Sequence, residues 1–142
     1  MNETPVSSDD KTWALMAWLL GFFFGFIPAL IIFIVMREKS RFVGFHALQA
    51  LFWHLAYLVI TIPVIFIAVA AGFSSVIGMS HSQANEPPVG LIIGIGVVFL
   101  FILVTGLVNL IVQIVMAVKA GGGAWTELPL VGGWARRAQA PS

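Results

Sequence analysis

Residues 42–72 read FVGFHALQALFWHLAYLVITIPVIFIAVAAG, 31 positions without one Asp, Glu, Lys or Arg. As a helix this stretch is about 46 Å long, against a hydrocarbon core of roughly 30 Å. A soluble helix of that length needs a polar face, and the charged residues that would make one are missing. Two more uncharged stretches flank it: residues 13–36, WALMAWLLGFFFGFIPALIIFIVM, and residues 90–118, GLIIGIGVVFLFILVTGLVNLIVQIVMAV. The pattern is that of an all-α integral membrane protein, and three such stretches predict a three-helix transmembrane bundle.

Composition agrees, with 60% hydrophobic and 9% charged residues in a 142-residue chain. What lies outside the apolar stretches is too short for a soluble core. The chain therefore divides into a flexible polar tail (1–12), a transmembrane helical domain (13–120) and an interfacial C-terminal tail (121–142). A net charge of +1 and the lack of a basic stripe exclude a nucleic-acid partner. The absence of cysteine removes disulfides and thiolate metal sites. Residues 13–36 read as a retained helix and not a signal peptide, because Asp9 and Asp10 precede them and the basic cluster follows.

Within that first stretch Pro28 removes a backbone hydrogen bond and predicts a kink. A re-entrant hairpin broken at Pro28 is the alternative, giving four half or full spans, since neither half reaches the roughly 20 residues that cross a bilayer. Ala17, Gly21, Gly25 and Ala29 form a small-xxx-small packing ladder. A ladder that lies against a neighbouring backbone tolerates Gly21→Ala and resists Gly25→Leu.

Polar residues in the second stretch share a face. At about 100° per residue His46, Gln49, Trp53 and Tyr57 fall within an arc of roughly 80°, with His54 and Thr61 on its edge. In the third stretch Thr105, Asn109 and Gln113 recur at i, i+4 and i+8. An amide in hydrocarbon needs partners, which turns Asn109 and Gln113 into the bundle. The expected intramembrane polar core is His46, Gln49, Tyr57, Asn109 and Gln113. No charged residue lies inside a span, and His46 and His54 of the second stretch sit eight positions apart without a carboxylate between them. The pattern thus points to no catalytic residue, no metal and no cofactor.

Arg37, Lys39 and Arg41 end the first stretch, and Lys119, Arg136 and Arg137 follow the third, which places both sets and the C-terminus in the cytoplasm. With a re-entrant first segment Lys11 joins them.

The start Asp10-Lys11-Thr12-Trp13-Ala14-Leu15-Met16-Ala17, the run from Arg41 through Phe42, His46, Ala47, Gln49 and Ala50, and the closing Lys119-Ala120 and Gly121 to Gly123 before Leu128-Pro129-Leu130 resemble the domain of unknown function 4870 family. These are small bacterial membrane proteins, distantly similar to the Tic-twenty subunit of the chloroplast inner-envelope import machinery. The resemblance implies a helical bundle in the bacterial inner membrane without enzymatic activity. The functional expectation is a non-enzymatic protein that works by helix packing with itself or with other membrane proteins in the lipid bilayer. The alternative is a component of a transport or protein-translocation assembly that uses the polar face.

Overall fold

The computed structural model describes residues 5–81, 89–129 and 131–138, which are helical without a strand among them. Among the described residues there are five helices: α1 (Ser8–Phe24), α2 (Phe26–Met36), α3 (Arg41–His81), α4 (Val89–Gly121) and α5 (Gly132–Ala138). Helices α3 and α4 are long and apolar enough to cross a membrane; α2 is apolar but short.

The first apolar stretch is two helices rather than one kinked span. Ser7 caps α1, its hydroxyl accepting from the Asp10 amide at 3.1 Å, so the helix starts well inside the segment expected to be a tail. It ends at Gly25, whose φ of 66° and ψ of −138° belong to a region that side chains disfavour. Pro28 sits in the first turn of α2, where a missing N–H breaks no helical bond. The break therefore falls on the glycine three residues earlier.

Helices α1 and α2 fold back on each other. Ala17 and Ile32 are buried in one cluster with Val43 and Ala47, and both Met16 and Met36 pack against it. On a straight helix Met16 and Met36 would stand about 30 Å apart. The mouth of this hairpin lies where α4 ends: a Cβ added to Gly121 would meet Leu15 Cδ1 at 2.8 Å, and one on Gly123 would meet Lys11 Cε at 2.7 Å.

The chain forms two compact units. The first comprises residues 1–56 and 109–142 and holds the core, with Ala14, Trp18, Phe42, Phe45, Leu48, Met116, Ala120, Leu128, Val131 and Ala135 buried together. Here the structure departs from a surface tail, because Leu128, Val131 and Ala135 are interior and α5 is helical.

The second unit, residues 57–108, contains the remaining parts of α3 and α4. Its large apolar side chains are mostly exposed, among them Val59, Phe66, Ile67, Phe73, Phe99 and Leu100. As helices, α3 and α4 are about 61 Å and about 50 Å long, more than the roughly 30 Å of a hydrocarbon core. Helix α3 runs nine residues past Gly72, where an exposed loop was expected. Ser74 and Ser75 make that possible by donating to the Ala70 and Ala71 carbonyls at 2.9 Å, which satisfies both hydroxyls inside the helix. The rest of the expected loop, 82–88, lies outside the described residues.

Gly25→Ala is expected to destabilise the hairpin by about 1–3 kcal/mol through backbone strain alone, since a Cβ there meets nothing within 4 Å. Thermal unfolding in detergent checks it. An unchanged melting temperature would mean the break does not need this conformation.

Candidate functional site

The polar face of α3 is buried against a segment that the polarity pattern did not reveal. Residues 124–128 run without helix beside α3, and two side chains take up their backbone groups. His46 Nε2 donates to the Ala124 carbonyl at 3.0 Å. Gln49 does two jobs: its Nε2 donates to the Thr126 carbonyl at 3.1 Å, and its Oε1 accepts from the Leu128 amide at 2.8 Å. His46 and Gln49 are three apart on one helix face and reach carbonyls two apart on the strap.

Aromatic packing closes the same contact. Trp125 lies 5.2 Å from Phe42 and 5.4 Å from Phe45 between ring centroids, and both phenylalanines also edge against His46. Beyond the strap Trp134 meets Phe52 edge-on at 6.2 Å, while Arg136 pairs with Glu127. Gly132 fits only because it has no side chain, as a Cβ would lie 2.9 Å from Glu127 Cα.

A second polar contact joins α3 to α4, where Trp53 Nε1 donates to Asn109 Oδ1 at 2.9 Å. One turn on, Gly21, His54 and Gln113 converge. A Cβ on Gly21 would stand 2.4 Å from His54 Cε1 and 3.5 Å from Gln113 Oε1. The expectation that Gly21→Ala is tolerated therefore fails: the imidazole cannot withdraw freely, since its Nδ1 donates to the Ala50 carbonyl at 2.6 Å. Trp18 Nε1, His54 Nε2 and the Gln113 amide are buried without a partner among the described residues.

Of the expected polar core, His46, Gln49 and Gln113 are buried and Asn109 is half-buried, all in the first unit. Tyr57 belongs to the second unit and is half-buried there. Thr105 donates to Phe101 of its own helix at 2.7 Å. Of the expected packing ladder Ala17, Gly21 and Ala29 are buried, but Gly25 interrupts it as the hairpin turn. The strap is what the residue-by-residue reading missed. Its signal was present, since Leu128, Val131 and Ala135 recur at i, i+3 and i+7.

No group of three or more His, Cys, Asp or Glu placed to hold a metal ion occurs among the described residues. The side chains of this site bond to main chain and to one another, which is the chemistry of a lock between segments.

A protein-family model described as the magnetosome magnetite crystal formation protein family matches residues 9–135. That range covers nearly all of the described structure, and the chain belongs to this family. The resemblance to the domain of unknown function 4870 family, and through it to Tic-twenty, is thereby corrected. No curated protein and no solved structure matches the chain.

Two substitutions separate the bonded from the unbonded polar groups. Gln49→Ala removes both strap bonds and is expected to cost about 1–3 kcal/mol, exposing 124–138 to limited proteolysis. Gln113→Leu, near its volume, loses no hydrogen bond and is expected to leave the melting temperature unchanged or higher. Equal losses for the two would contradict the bonding described.

Proposed function

With membership of the magnetosome family as premise, we propose that the chain serves magnetite crystal formation as a non-enzymatic scaffold of a bacterial membrane. It acts by packing its helices with copies of itself or with other membrane proteins, and holds both termini on the cytoplasmic side. The observation that carries this reading is the strap. His46 and Gln49, the polar residues best suited to touch a substrate, bond to the main chain at 124, 126 and 128 instead.

Charge supports the orientation. All seven Lys and Arg residues, Lys11, Arg37, Lys39, Arg41, Lys119, Arg136 and Arg137, belong to the first unit, while the second carries only Glu86. The side rich in basic residues is the cytoplasmic one. Because α1 and α2 fold back on each other, Lys11 comes to the end where α4 stops, so no basic residue is left on the opposite side.

The alternative, a transport or translocation path along the polar face, requires that face to be open. The strap and its tryptophan occupy the end of that face formed by His46 and Gln49. A scaffold further accounts for the exposed apolar surface of the second unit, which offers contact area.

Two measurements test the proposal. In a magnetite-forming bacterium lacking this chain, the wild type is expected to restore crystal size and Gln49→Ala to restore it incompletely, as seen by electron microscopy. Purified protein in vesicles is expected to add nothing to iron passage or iron oxidation over empty vesicles; a rate above that control would favour the transport or enzymatic reading. Topology has its own check. Single cysteines at Thr12, Ser40 and Gly133 are expected to react with an impermeant reagent from the cytoplasmic side and one at Ser82 from the other, and labelling of Thr12 together with Ser82 would overturn the orientation.

A further inference from the structure

The hairpin of α1 and α2 has a charged mouth and an apolar tip. At the tip Phe22, Phe23 and Phe24 are 50%, 74% and 66% exposed, next to the Gly25 turn. Along α2 the residues Ile27, Ile31 and Ile34 form a continuous exposed row, while Ala29 and Ile32 face inward. At the mouth lie Lys11, the exposed Trp13, and Arg37, Glu38 and Lys39. The gradient from charge through tryptophan to phenylalanine is the one a bilayer imposes between headgroups and acyl chains.

Length decides how deep the hairpin goes. The 11 residues of α2 rise about 16 Å, which is half of a roughly 30 Å hydrocarbon core. Helix α1 has 17 residues, of which the first turn carries Asp9, Asp10 and Lys11 and stays in water. Neither arm crosses. Within the first unit the hairpin therefore fills one leaflet only.

From this geometry we infer that the hairpin is a one-leaflet wedge whose occupant partner is the acyl-chain layer of that leaflet, so that the chain prefers a bilayer curved outward on the side of its termini. The added cross-section expands one monolayer and leaves the other unchanged, and binding of apolar helices to one leaflet depends on curvature. The inference rests on the termini sharing a side, as proposed above, but not on any role in crystal formation.

The full-length chain, reconstituted into phosphatidylcholine and phosphatidylglycerol vesicles, provides the test. A nitroxide on Phe23→Cys is expected near the bilayer centre and one on Ser40→Cys in water. A Phe23 label that is accessible from the compartment opposite Ser40 makes the stretch a full span and overturns the wedge. Molecules with an externally accessible C-terminal tag are expected at least about twofold denser on the smallest vesicles, about 30 nm across, than on those of about 200 nm. Molecules of the opposite orientation in the same vesicles are expected to show the reverse bias, an internal control that needs no mutation. Replacing Phe22, Phe23 and Phe24 by Ser is expected to abolish both biases. Equal densities of wild type across sizes in both orientations would overturn the inference, and because no mineral is involved, that result leaves the crystal-formation reading standing.

Discussion

In a hydrocarbon environment every backbone N–H and C=O must find its partner inside the protein. Helices α1 to α4 meet this requirement internally; the stretch 124–128 is not helical and meets it only in part, its Ala124 and Thr126 amides donating to the Lys119 and Ala124 carbonyls. Its main-chain groups at 124, 126 and 128 are taken up by His46 and Gln49, and this exchange lets a non-helical segment lie against the apolar helices. The rest of the first unit follows. With the strap seated, Leu128, Val131 and Ala135 complete a core that Phe42, Phe45 and Leu48 begin. Two polar side chains in the second apolar stretch are thus explained by the backbone they satisfy.

Close approach is the second constraint, and glycine supplies it at particular points. Gly21 lets the His54 ring lie on α1, Gly121 and Gly123 admit Leu15 and Lys11 beside the end of α4, and Gly132 lets the strap turn into α5. At each of these a methyl group would collide. Gly25 differs, since nothing crowds it and its backbone conformation alone demands glycine. The ladder Ala17, Gly21, Gly25 and Ala29 therefore contains two kinds of small residue, one chosen for space and one for torsion, which the spacing of four conceals.

The division of labour between the two units has a physical basis in where polarity sits. The first unit holds every basic residue, both hydrogen-bonded histidines and the strap; the second holds apolar helix with exposed side chains. The scaffold proposed above would draw on that exposed apolar surface for contact with other helices.

Membrane residence was legible in the sequence, because absence of charge over 31 positions is a property of composition and does not depend on neighbours. The basic clusters and the polar stripe on residues 46–57 were legible for the same reason: helical spacing alone places side chains on a face. What faces that stripe was not, since Tyr57 and Gln49 look alike in the pattern, yet only Gln49 meets the strap. Nor was the break at Gly25, because proline announces a kink in any context, whereas a glycine turns the chain only if packing rewards the fold-back. Here the reward comes from Val43, Ala47 and the end of α4, residues from 18 to nearly 100 positions away. By itself the sequence determined where the chain meets lipid, a matter of local transfer energies; the hairpin, the strap and the partners of each buried polar group were decided by tertiary structure, because a hydrogen bond or a close contact needs both of its ends in place.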